Sequence, residues 1–219
     1  MKSSAELLTL MSWLSPVFPT GGFAYSAGLE QAAAQGLVDG PAVLEDWIAA
    51  QLAHGGLRND AILLARAHDA AGDRAAIGEL ADLAAALCVC AQRLRETTDQ
   101  GTSFLNAAAH WIGADRLPGR GTPLPVAVGA AAGLAPVDRV AAIAAYLHGF
   151  VSNQLQCAIR LSITGQDGAA GILSRIEPAI YACALDAGDA TLDDLGGAAF
   201  IADSMAMRHE TLEPRLFLS

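Results

Sequence analysis

Residues 137–163, VDRVAAIAAYLHGFVSNQLQCAIRLSI, hold the chain's most regular helical pattern and its best strand candidate, so their reading decides the fold. Val140, Ile143, Ala144, Leu147, Phe150, Val151 and Leu155 recur at the spacing that lines one face of an α-helix. The final part, Cys157 to Thr164, also alternates apolar and polar residues as a half-buried strand does. Such a strand has no obvious partner elsewhere in the chain, and unpaired strands are not stable in water. The helical reading prevails.

Working outward, the same periodicity recurs. Ser3-x-x-Glu6 has capping-box form ahead of Leu7, Leu8, Leu10, Met11 and Leu14. Pro16 and Pro19 break the chain, Gly21-Gly22 lets it turn, and a second helical stretch covers about 23–35. Gly40-Pro41 starts a third, with proline at the favoured first position. Asn59-Asp60 reads as the cap of a helix carrying Ile62, Leu63 and Leu64. Residues 74–111 read as a long helical region interrupted near Gln100-Gly101, and 117–125 as a loop rich in proline and glycine. A helix over about 169–185 contains Pro178, which kinks it or starts a new one. Thr191-x-x-Asp194 reads as the cap of a last helix ending near Thr211. The expected architecture is all-α, one domain of 219 residues with eight to ten helices.

Composition narrows the function. The chain is 53% hydrophobic and 16% charged, with mean hydropathy +0.36. A core takes up much of that, and apolar surface left over marks an interface. The longest uncharged apolar run, Val126 to Val137, is shorter than the roughly 18–20 residues a membrane span needs. No signal-peptide pattern opens the chain, so a cytoplasmic protein is expected. A net charge of −10 disfavours nucleic acid as a partner, because phosphates repel it. Lys2 is the only lysine, and no phosphate-binding G-x-x-x-x-G-K-[ST] loop is present.

No catalytic or metal motif emerges. Ala24-Tyr25-Ser26-Ala27-Gly28 approaches the G-x-S-x-G nucleophile elbow, but that elbow follows a strand and here a turn precedes it. His54, His68, His110, His148 and His209 are scattered without metal-ligand spacing. Cys88 and Cys90, placed on a helix, point about 200° apart. With Cys157 and Cys183 they read as reduced, buried thiols. The expectation is no enzyme, no tightly held metal and no cofactor.

Three polar islands interrupt the apolar helices: 16–30, 93–101 and 207–219. SPVFPTGGFAYSAGLE (15–30) resembles the S-P-x-x-P-x-G-x-F-x-Y-S-x-G-L-E segment of the UreF family of urease accessory proteins. RETTDQG (95–101) resembles its E-T-x-x-Q-G element, SNQLQCAIRLSITGQ (152–166) its Gly-Gln turn, and RHETLEPRLFLS (208–219) its ending. Four such elements in order are a specific signal. Ala24, Pro214 and Leu218 depart from the usual pattern. The resemblance implies an all-α homodimer that binds UreD (UreH in some species) and recruits the GTPase UreG. That assembly inserts nickel into apo-urease, with this chain as a non-catalytic chaperone; the alternative is a GTPase-activating regulator of UreG that supplies an Arg or orders a switch loop.

The residues themselves suggest where docking occurs. Leu216, Phe217 and Leu218 gain nothing from water, whereas burial stabilises each fully covered side chain by roughly 1.5–3 kcal/mol. They pack on the body or on a partner; the favoured reading makes 211–219 a tail that orders when UreD binds. Residues 1–22 are read as an N-terminal arm. Candidate partner-binding residues are Tyr25, Ser26, Gly28, Glu30, Arg208, His209, Glu210, Arg215, Leu216, Phe217 and Ser219, with Arg215 expected to reach the Tyr25 region. Arg95, Glu96, Thr97 and Gln100 are read as a buried polar cluster joining two helices.

Overall fold

The computed structural model describes residues 4–15 and 17–219. The decisive stretch forms α8 (Arg139–Arg160), whose Asp138 caps it by accepting the Ala141 N–H at 2.9 Å. The chain then turns at Leu161–Ser162, so the strand candidate at Cys157–Thr164 is half helix and half turn. Among the described residues nine further α-helices accompany it: α1 (Ser4–Trp13), α2 (Leu29–Ala34), α3 (Pro41–His54), α4 (Gly56–Asp69), α5 (Arg74–Ala86), α6 (Ala91–Ile112), α7 (Leu124–Leu134), α9 (Gln166–Asp189) and α10 (Phe200–Arg208). Short 3₁₀ turns occupy Gly22–Ala24, Leu192–Asp194 and His209–Thr211. No strand occurs among the described residues, and the all-α reading holds.

The core lies where α4, α7, α8 and α9 meet, with Ile62, Leu64, Val128, Ile143, Leu147 and Ile172 at its centre. Two glycines one helical turn apart set the α4–α7 approach. A side chain at Gly129 would strike the Leu64 carbonyl, and one at Gly133 the His68 carbonyl. Aromatic rings close the end near α1: Trp13 meets Phe104 edge-on at 5.7 Å, and Phe18 lies 5.3 Å from the same ring.

Several local expectations are corrected. The Ser3 cap lies outside the described residues; Glu6 points inward and accepts the Asp138 N–H at 2.7 Å, tying α1 to the start of α8. Asn59 and Asp60 fall inside α4, which begins three residues earlier at Gly56. The break between α5 and α6 falls at 87–90, not at Gln100-Gly101. Gly101 sits mid-helix because a Cβ there would collide with the Thr122 carbonyl as the loop into α7 crosses α6. Pro178 stays inside a continuous α9. Thr191 and Asp194 do form a capping box, but on a 3₁₀ turn; α10 starts at Phe200.

Candidate docking site

Two of the polar islands are brought together by α8. Segment 23–26 crosses the C-terminal half of that helix with the Phe23, Tyr25 and Ser26 carbonyls turned toward it. Arg160 donates to Phe23 O at 2.7 Å, Asn153 to Tyr25 O at 3.0 Å and Gln154 to Ser26 O at 2.7 Å. Cys157 Sγ adds a longer contact to Tyr25 O, and burial pushes its thiol up to about 12. Residues 153, 157 and 160 share one helix face at i, i+4 and i+7. The chain then turns sharply, with Ala27 at φ 50° and Gly28 at φ 85°, both in the left-handed region. A Cβ on Gly28 would stand 2.7 Å from Ala206 N, so this turn and α10 touch backbone to backbone.

The C-terminal segment lies in the crevice so formed. Ser26 N–H and Ser26 Oγ both donate to Ser219 O, at 2.7 and 2.5 Å, and Leu218 N–H donates to Ala24 O at 2.8 Å. Glu30, on the first turn of α2, accepts the N–H of Leu216 at 2.6 Å and of Phe217 at 3.1 Å. Its Oε2 also lies 2.9 Å from His209 Nε2. His209 is fully buried, and its Nδ1 lies 2.9 Å from Gln92 Oε1, so the ring is clamped from two sides. Phe217 is buried with the Arg160 guanidinium 4.2 Å from its ring centre.

The third island supports the crevice floor from α6. Ser219 Oγ donates to Glu96 at 3.0 Å, Gln100 donates to the same carboxylate at 3.3 Å, and Arg93 pairs with it at 3.1 Å. Arg93 also meets Asp60 at 2.7 Å, and Tyr146 donates to Asp60 at 2.7 Å. Burial raises Asp60 against the pull of Arg93, and burial together with Asp60 raises Tyr146. Burial alone would lower Arg93, but Glu96 and Asp60 hold its proton more tightly. Thr97 accepts the Leu124 N–H at 3.1 Å, fixing the start of α7.

Tyr25, Ser26, Gly28, Glu30, His209, Phe217 and Ser219 therefore converge, as do Glu96, Thr97 and Gln100. Two expectations fail. Arg95 is exposed on the opposite face of α6, and Arg93 takes its place in the cluster. Arg215 is exposed with no ion pair among the described residues; Arg160 is the guanidinium that meets this region. The tail itself packs on the body of this chain. Arg208 (3.3 Å from Gln35), Glu210, Arg215 and Leu216 remain on the surface. Sequence reading missed Asp60, Gln92, Arg93, Tyr146, Asn153, Gln154 and Arg160, whose partners lie far along the chain.

The arrangement holds backbone. Among the described residues no group of three or more His, Cys, Asp or Glu is placed to hold a metal ion, and no helix is long and apolar enough to cross a membrane. The sequence profile of the UreF family matches residues 38–177. Relatives named urease accessory protein UreF match nearly end to end. The one from Brucella ovis is 47% identical over 218 residues, covering 99% of this chain and 95% of its own. That from Agrobacterium fabrum is 46% identical over 217 residues, covering 98% and 97%. The chain belongs to the UreF family. The island residues that carry the family resemblance are, for the most part, those that form this clasp.

Proposed function

We propose that this UreF-family chain is a non-catalytic docking subunit of urease maturation, acting in the cytoplasm as a homodimer that binds UreD (UreH) and recruits the GTPase UreG to apo-urease. The observation that carries the docking role is α1. Its inner face buries Leu10 and Trp13, yet Leu7, Leu8 and Met11 stand about 60% exposed on the outer face, at 60%, 63% and 61%. Leucine and methionine side chains grouped on an outer helix face are apolar surface that calls for a cover. Phe200 and Ile201 on α10 and Leu216 and Leu218 on the tail are further exposed apolar side chains. Nickel is cargo of the assembly in this reading and is not held by this chain.

The test is co-purification with the UreD and UreG counterparts, sized in solution. A stoichiometric complex containing two copies of this chain supports the reading; a lone monomer that captures neither partner refutes it. One observation favours a regulatory variant of the same role: Arg215 is an exposed guanidinium without an ion pair among the described residues, on a segment pinned by Glu30 and Ser26. Such an arginine suits stabilisation of a GTPase transition state. Loss of UreG stimulation in Arg215→Ala, with binding intact, separates the regulator from the passive scaffold.

A further inference from the structure

A cavity of about 260 Å³ between α5, α7 and the loop leading into α7 shares no residue with the clasp. Arg74, Ile77, Gly78 and Ala81 border it at i, i+3, i+4 and i+7, one face of α5. Ala130 and Leu134, one turn apart, border it from α7, and Arg116 and Gly119 from the loop. The loop wall is fixed: Thr102 accepts the Gly121 N–H at 2.9 Å, and the Thr122 hydroxyl donates to Gly119 O at 2.8 Å. Gly78 is the informative residue. Glycine weakens a helix interior relative to alanine, and at Gly101, Gly129 and Gly133 it admits a neighbour's backbone in return. A Cβ at Gly78 would meet nothing within 4 Å, so packing within this chain does not require the glycine. Its missing side chain leaves the cavity open.

Charge and apolar surface are sorted around this space. Arg74 Nη2 donates to Asp115 O, which anchors that guanidinium beside the backbone one residue before Arg116. Among the described residues the arginine ion pairs fall on Arg66, Arg93, Arg139 and Arg175, not on Arg74 or Arg116. Asp73, the one carboxylate bordering the cavity among the described residues, caps α5 by accepting the Ala75 and Ala76 N–H groups at 3.0 and 3.1 Å. Two guanidiniums against one carboxylate leave this rim net positive in a chain of net charge −10. The rest is apolar: Ile77 and Ala130 are buried, Ala81 and Leu134 partly so. A guanidinium fork matches a carboxylate, whereas a bare inorganic anion would leave the apolar wall uncovered. The volume is that of roughly nine waters, room for a ligand of about ten non-hydrogen atoms. We propose that this cavity binds a small organic acid, its carboxylate on Arg74 and Arg116 and its aromatic or branched body on Ile77, Ala81, Ala130 and Leu134. Both guanidiniums stay in contact with water, so the affinity is modest.

Benzoate is the probe, titrated into the full chain while NMR shifts are followed, with benzamide as its uncharged counterpart and inorganic phosphate as the bare anion. Saturable benzoate binding with a Kd of about 10 mM or tighter is expected, with benzamide and phosphate each at least about fivefold weaker. The shifts should gather at Ile77, Ala81, Ala130 and Leu134, a readout that needs no variant to fold. Arg74→Gln and Arg116→Gln should each weaken benzoate at least about fivefold. Gly78→Leu places a better helix former in open space, so helicity and melting temperature should hold or rise while benzoate binding is lost. No saturation by about 50 mM, benzamide binding as well as benzoate, or shifts centred on Leu7, Leu8 and Met11 of α1 would each overturn the site. So would phosphate binding more tightly than benzoate (an adventitious ion only), or undiminished binding in a folded Gly78→Leu.

Discussion

The C-terminal segment and α1 are both short apolar stretches, and the fold treats them in opposite ways. The segment 215–219 alternates: Phe217 and Ser219 turn inward, Leu216 and Leu218 outward, and its backbone is hydrogen-bonded to Ala24, Ser26 and Glu30. Helix α1 satisfies its own backbone and buries only one face. Polar motif residues thus serve internal construction, while the surface best suited to a partner is built from plain leucines and a methionine. Distinctive residues mark what the fold must hold; an apolar docking face, as proposed for α1, needs only area and shape.

The contrast breaks most forcefully at Glu30. Glu30→Ala strips the partner from two backbone N–H groups and from the buried His209, and a loss of about 3–5 kcal/mol is expected in chemical denaturation. A loss below about 1 kcal/mol would mean that the clasp contributes little. Gly28→Ala comes next. The left-handed backbone costs a side chain roughly 1–2 kcal/mol, and the Ala206 backbone gives no room, so a total of about 2 kcal/mol or more is expected. Protease cleavage within 212–219 should accelerate in both variants, since both loosen the seat of the tail.

Helix count and class were legible because the periodicity of stretches such as Val140–Leu155 reports a local property. Boundaries were less so. Gly101 looked like a breaker because glycine is poor in helices, yet its role is to admit the Thr122 carbonyl, a contact 21 residues away that no local pattern encodes. The local pattern points to Arg95 for the polar cluster because it does not reveal which α6 face turns toward α4. Asp60 decides that, and it lies 33 residues upstream of Arg93. The family resemblance marks the clasp residues within 25–30 and 209–219, and the tail is expected to reach the Tyr25 region; which atoms meet, Ser219 on Ser26 and the Leu216 and Phe217 N–H groups on Glu30, is not encoded locally.

A smaller effect tests the polar rule at the surface. Asp194 is held below the usual carboxylate range by the Thr191 N–H and hydroxyl, at 2.8 and 3.0 Å. A depressed folded-state value contributes stability above the unfolded value of about 3.9, and the contribution disappears as pH falls through the folded one. Asp194→Asn should therefore lower the melting temperature slightly at neutral pH, with the gap to the unaltered protein closing below about pH 4. A gap that widens in acid would reverse the assignment.

The least effect on folding is expected at α1, and there the comparison is decided. Leu8→Glu and Met11→Glu change side chains already in water, so stability should move by no more than about 0.5 kcal/mol. Capture of the UreD counterpart, or self-association, should nonetheless fall sharply, because a desolvated carboxylate without a partner is costly in an apolar interface. If these variants keep full partner capture while Leu216→Glu or Arg215→Ala abolishes it, the tail is the docking element and α1 an ordinary surface helix. Destabilisation by more than about 2 kcal/mol from Leu8→Glu would show instead that the outer face of α1 is packed within the chain itself.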